Sequence, residues 1–222
     1  AATTTDIKKI AASDTLVAVL ESPSLDIFVY SHEGKYITTI SGSFTDIDAN
    51  EYGIYAVAGG NHVSFYPKGT WSAESRNVQA DITGAGGAFN STFLCAVGRD
   101  MADGNHKLYI LYKATSTTYK VAEYTLPSGG GVSGATFEGF FDDKGSGTPE
   151  DFTASPNGYG LLVLKTTVVW HYNGYTWQKA KSKVRAYVGI QWLPDAPRYV
   201  ACEAASVIFN GRTGVPEKIH TD

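Results

Sequence analysis

One unit recurs along this chain: an apolar strand start, two further apolar strands, and then a tight glycine turn. The starts fall at Ile10, Ile47, Ile82, Phe152 and Ile190, and the turns at Gly34, Gly69, Gly174 and Gly211. In the four units that carry both markers the start-to-glycine distances are 24, 22, 22 and 21 residues, a constancy that unrelated hairpins would not keep. A strand-only unit of roughly 40 residues cannot bury its apolar faces alone and must stack on its neighbours, so the repeat constrains the whole chain.

The first unit reads Lys9–Ala12, Leu16–Leu20, Ile27–Tyr30 and Tyr36–Ile40, and the second Asp46–Ala49, Ile54–Val57, Val63–Tyr66 and Trp71 onward. The third reads Asp81–Thr83, Phe93–Val97, Leu108–Tyr112 and Tyr119–Ala122, with Ala114-Thr115-Ser116-Thr117 where the others carry a glycine turn. The fourth reads Asp151–Ala154, Leu161–Leu164, Val168–Tyr172 and Trp177 onward. The fifth reads Val188–Ile190, Tyr199–Cys202, Val207–Phe209 and Glu217–His220. These runs are rich in β-branched and aromatic residues and are bounded by Gly, Pro, Asn, Asp and Ser. No stretch supports an amphipathic helix over three turns. Asn173-Gly174 and Asn210-Gly211 suit hairpin turns, since both residue types tolerate positive φ.

The starts lie 37, 35, 70 and 38 residues apart. Within the double interval only 119–126 and 132–141 read as strands, and the first already closes the third unit. The expectation is five units with an insertion between the third and fourth. This pattern resembles the repeat of small five-bladed β-propellers, whose four-stranded blades surround a channel. The resemblance implies an all-β, five-bladed β-propeller forming a single domain over residues 1–222, at about 44 residues per blade. The Gly-His and Trp-Asp dipeptides of WD40 repeats are absent, and the blades have diverged from one another.

Composition narrows the function classes. Hydrophobic residues make up 43%, enough for a core, and no apolar run approaches the roughly 18 residues of a membrane helix. The net charge of −4 argues against a nucleic-acid partner, which is met by a basic face. Only 18% of residues are charged, against about 25% in typical domains, giving a neutral hydrogen-bonding surface that suits a secreted protein or an assembly subunit.

Chemistry-bearing residues are few. Asp46, Asp81 and Asp151 each precede a strand start, with Asp48 two residues after the first. Their placement resembles that of the paired carboxylates in five-bladed glycosidases; the competing reading is that they bond backbone amides. Asp100, Asp103 and Asn105, and separately Asp142 and Asp143, offer oxygens to calcium or are solvated acidic loops. The five histidines show no metal spacing, and no cofactor is expected. Cys95 and Cys202 are placed on equivalent second strands of blades three and five, as buried thiols. The long segments 98–106 and 127–150 are read as loops rising on one face, where binding resides in rigid scaffolds.

The aromatics Trp71, Tyr172, Tyr175, Trp177 and Trp192, with Tyr66 and Trp170, are candidates for sugar-stacking pockets between blades, an arrangement similar to propeller lectins, or else for blade-to-blade packing. The leading expectation is a non-enzymatic scaffold that binds protein partners within a larger assembly, with a virion or extracellular particle as its setting. The alternative is a carbohydrate-binding lectin.

Overall fold

The computed structural model describes residues 6–100, 103–145, 147–165, 168–179, 189–192, 198–202, 207–210 and 216–219; in the last four stretches side chains are described at 190–192 and 199–201. The expectations for Gly211, Val188 and His220 lie outside these residues.

Among the described residues twenty strands form five four-stranded sheets, in each of which the neighbours follow chain order. The first contains β1 (Asp6–Ala12), β2 (Leu16–Ser22), β3 (Ile27–Ser31) and β4 (Tyr36–Ile40). The second contains β5 (Asp46–Asn50), β6 (Gly53–Val57), β7 (His62–Pro67) and β8 (Glu74–Asn77). A helix, α1 (Val78–Gly84), precedes the third, made of β9 (Ser91–Arg99), β10 (His106–Lys113), β11 (Tyr119–Thr125) and β12 (Thr136–Asp142). The fourth holds β13 (Asp151–Ala154), β14 (Leu161–Lys165), β15 (Val168–Tyr172) and β16 (Trp177–Lys179). The fifth holds β17 (Gly189–Trp192), β18 (Arg198–Cys202), β19 (Val207–Asn210) and β20 (Pro216–Ile219). Side chains are described along all strands of the first four sheets, and along β17 and β18 in the fifth.

The recurring glycines do the work their spacing implied. Gly34, Gly69 and Gly174 join the third strand to the fourth in their sheets with φ of 80°, 93° and 91°, a region in which a side chain is strained.

The chain divides into two compact units, Ala1–Ala96 with Leu108–Phe141, and Val97–Lys107 with Asp142–Asp222. In the first, alternate residues of β1 to β4, among them Leu16, Ala18, Leu20, Ile27 and Val29, pack against Ile47, Ala49, Ile54 and Tyr66 of the next sheet. In the second, Leu162, Leu164 and Val169 pack against Ile190, Trp192, Tyr199 and Ala201. The first sheet thus packs against the second and the fourth against the fifth, and every residue of β6 and of β14 is buried.

The third repeat departs from the expectation. Asp81-Ile82-Thr83 is helical: Asn77 caps α1 by accepting from Ala80 N (3.0 Å), and Val78 and Ile82, four residues apart, are the buried positions. At seven residues the helix is shorter than the three turns on which the sequence was judged. The runs read as second, third and fourth strands therefore become first, second and third, and β12, inside the supposed insertion, supplies the fourth. Cys95 accordingly lies on a first strand and Cys202 on a second, so they are not equivalent. Residues 100–105 join first to second strand, and 126–135 third to fourth, so the two long segments are not the pair of loops expected.

Candidate functional site

The carboxylates at the strand starts have defined partners. Asp46 opens β5, its side chain is 2% exposed, and its Oδ2 accepts from Cys95 N on β9 at 2.8 Å. Asp151 opens β13, is buried, and its Oδ2 accepts from Ile190 N on β17 at 2.8 Å while Oδ1 accepts from Phe152 N at 2.9 Å. In both cases the carboxylate of one first strand holds a backbone amide of the next first strand. An ionised acceptor buried beside an N–H makes a bond roughly twice as strong as a neutral one. Lys9 stands just before Ile10, in the position Asp46 holds before Ile47, and its Nζ lies 3.4 Å from Asp46 Oδ1. Asp48 Oδ1 accepts from Ala49 N at 2.8 Å. Asp81 is elsewhere: Arg76 grips it at 2.7 and 3.0 Å, and the Tyr124 hydroxyl donates to it at 3.1 Å. The backbone-amide reading thus holds for Asp46, Asp48 and Asp151, and Asp81 does not belong with them.

Of the aromatic candidates the structure brings three together. Tyr172 and Trp177 are directly paired across the β15–β16 hairpin, with ring centroids 5.2 Å apart and planes at 42°. Tyr175 sits at the turn between them with 87% of its surface exposed. Asn173 Oδ1 fixes that turn by accepting from Tyr175 N at 3.1 Å and Thr176 N at 2.9 Å, and the Tyr172 hydroxyl donates to Gly174 O at 2.9 Å. Trp177 Nε1 donates to Asp142 O at 2.9 Å. Trp71 and Trp192 are not part of this group. Trp71 is half-buried against the core of the first two sheets. Trp192 is buried, with Tyr199, His171 and Tyr159 rings at 5.7, 5.5 and 6.4 Å. Tyr66 is buried against Phe44.

Residues 142, 143 and 145 lie along the same sheet. The Asp143 carboxylate is 1% exposed and 2.6 Å from Lys165 Nζ, itself buried and donating to Gly145 O at 2.9 Å. Burial pushes the Asp143 carboxyl up, against the pull of Lys165. Gly145, at φ 81°, allows Trp170 to approach: a Cβ there would lie 2.5 Å from its Nε1. Asp143 is therefore neither a solvated loop acid nor an open ligand. In the other acidic loop Asp103 accepts from Asn105 N and Nδ2 at 2.9 and 2.7 Å, and Asp100 lies 3.6 Å from Lys107 Nζ. Among the described residues no cluster of three or more His, Cys, Asp or Glu side chains is arranged to hold a metal ion. No helix among them is long and apolar enough to cross a membrane.

Sequence reasoning missed Lys9, Arg76 and Lys165, the cations that partner these acids. The signal for Lys9 was present: it occupies the repeat position of Asp46 and Asp151.

No family model and no curated protein matches this chain. Solved structures do match, 619 chains in all, so the likeness is to an architecture rather than to one protein. One is a chain of a structure titled "Crystal Structure of Mitotic Checkpoint Complex", at a TM-score of 0.64 and 11% identity, over 96% of this chain and 65% of that one. At that identity the likeness shows the fold alone, and the chain spans less than two thirds of the matched one. The fold is an all-β propeller.

Proposed function

We propose that this chain is a non-enzymatic propeller scaffold that binds protein partners, built as a single domain over 1–222 with its five four-stranded sheets as five blades. The insertion expected between blades three and four reduces on this reading to the segment 143–150. The observation that supports the non-enzymatic reading is the engagement of Asp46 and Asp151: each carboxylate accepts from a backbone amide of the next first strand, with Lys9 beside the first. Hydrolysis of a glycosidic bond needs two carboxyl groups about 5 to 10 Å apart, one of them free to take a proton. The protein-binding reading is supported by the fold, a frame that presents loops and edges, and by its likeness to a chain of the mitotic checkpoint complex. A particle setting, virion or extracellular, rests on the neutral composition.

The test is a glycan array run beside a panel of chromogenic glycosides. The expected result is no saturable sugar binding and no turnover. Sugar binding abolished by Trp177→Ala would make the Tyr172, Tyr175 and Trp177 hairpin a lectin site. Turnover abolished by Asp48→Asn would make the chain an enzyme.

A further inference from the structure

Eight asparagines occur in the chain, and Asn90 alone is followed two places on by a hydroxyl residue, with Ser91 rather than a proline between it and Thr92. That triplet is the acceptor signature of N-linked glycosylation. It lies where β9 begins. Asn90 is exposed, and its backbone N–H donates to Lys113 O at 2.8 Å. Thr92 is fully buried, and its N–H and its hydroxyl both donate to Gly60 O, at 2.8 and 3.0 Å. An asparagine at the entry to a strand ordinarily serves by bonding the local backbone. Asn50, Asn77 and Asn173 do so: their Oδ1 atoms accept from Tyr52 N, from Ala80 N, and from Tyr175 N and Thr176 N. The Asn90 side chain makes no such bond among the described residues, so the chemistry that accounts for those three does not account for it.

We propose that Asn90 is a glycan acceptor, modified as the chain enters a secretory compartment; this rests on the extracellular setting of the scaffold reading. The donor is an oligosaccharide joined to a lipid pyrophosphate, presented by a membrane-bound transferase. Asn90 Nδ2 bonds to C1 of the first sugar and the C1–O bond breaks. The pyrophosphate lipid leaves with the electron pair, and a base of the transferase takes the amide proton. The triplet also fixes the order of events. It is read through the hydroxyl that serine and threonine share, and the folded chain encloses that hydroxyl against Gly60 O. Transfer therefore precedes the seating of β9 on the second sheet. The exposed position of Asn90 then lets the folded sheets carry the glycan outside them.

The experiment translates the full chain behind a cleavable signal peptide in the presence of microsomes and, separately, adds the folded chain to the same microsomes after permeabilisation. The readout is a gel shift removed by a peptide-N-glycosidase, which converts the modified asparagine to aspartate. The expected result is one glycan on the chain translated into microsomes, none on the folded chain, and none on Asn90→Gln or Thr92→Ala. The gel reads the newly made chain, so a variant that fails to fold still reports. Secretion of the full chain from cultured cells supplies the second measurement, in which the glycosylated and the enzymatically deglycosylated chain should share one urea midpoint and one far-UV circular dichroism spectrum. An unshifted translated chain overturns the proposal, as does a shift that Asn90→Gln retains. Equal modification of folded and newly made chain overturns the order of events, and a glycosylated chain that cannot fold overturns Asn90 as a site the sheets tolerate. None of these results touches the scaffold reading, which falls on sugar binding or turnover instead.

Discussion

Replacing Asp46 by alanine tests whether the strand-start carboxylates are the fasteners between sheets. The carboxylate is 2% exposed, and among its partners are two of unequal kind, Cys95 N at 2.8 Å and Lys9 Nζ at 3.4 Å, the latter on a side chain 20% exposed. A buried hydrogen bond to a charged group contributes about 1.5 to 3 kcal/mol, and an amide left buried without its acceptor costs about 1 to 3. The ion pair, with one partly solvated member, adds under about 1 kcal/mol. Asp46→Ala should therefore cost about 2 to 4 kcal/mol, with the amide bond as the larger share, and lower the midpoint by about 5 to 15 °C at this chain length. Asp46→Asn, which keeps an oxygen for Cys95 N, should cost about 1 kcal/mol, and Lys9→Ala no more than that. Urea unfolding gives the free energies. A thiol reagent gives a local readout, since Cys95 is fully buried and should react faster only where the strand separates. The exposed Asp14→Ala is the control. The reasoning is refuted if Asp46→Ala stays within about 0.5 kcal/mol of wild type, or if Lys9→Ala costs as much, which would make the ion pair the fastener.

His171 is buried and donates from Nε2 to Tyr159 O at 2.8 Å, and burial lowers its pKa below the ordinary 6.5. The unfolded chain then takes up a proton more readily than the folded one, so this stability is full above pH 6.5 and falls as the pH drops through the folded value, by up to about 1.4 kcal/mol per unit. His171→Phe should lack that slope between otherwise matched urea titrations. Gly145→Ala forces a side chain into a left-handed φ of 81° and against Trp170, and should cost about 1 to 2 kcal/mol and open residues 142–150 to limited proteolysis. Asn77→Ala removes the cap of α1 and should lower stability by about 1 kcal/mol in thermal melts, with Asn77→Asp near neutral.

Much of the fold was legible because two local rules govern it. Runs of β-branched and aromatic residues marked β2, β3 and β15, and a glycine at fixed distance marked three of the hairpins. The third repeat hid itself because Val78-Gln79-Ala80-Asp81-Ile82 is compatible with either period over so short a span. What decides for the helix is Asn77, a cap whose bond to Ala80 N forms only if the following residues turn. The strand β12 was legible as a run at 132–141 but not as the fourth strand of its sheet, because reading Asp81–Thr83 as a first strand had already given that place to 119–126. The aromatic candidates were legible as types and not as places. Trp177 and Trp192 look alike in the sequence, yet one lies across a hairpin from Tyr172 and the other is enclosed between sheets by residues up to 33 positions away, such as Tyr159.

The fastener position says something further about how the repeat has diverged. Bonds from Asp46 to Cys95 N and from Asp151 to Ile190 N make Cys95 and Ile190 equivalent, and hence Leu94 and Gly189 equivalent to Asp46 and Asp151. Across the five sheets this one position is Lys9, Asp46, Leu94, Asp151 and Gly189. A catalytic or ligand-gripping position repeated around a channel would keep one chemistry, because each copy would face the same substrate or ion. Here the position carries a cation, two anions, an apolar side chain and none. Where the anion is present it is turned toward the adjoining strand and is closed off by a backbone amide, and where the cation is present it serves the anion of the next sheet. The position thus serves the junctions of the first sheet with the second, the second with the third and the fourth with the fifth, with a different chemistry in Lys9 than in the two aspartates.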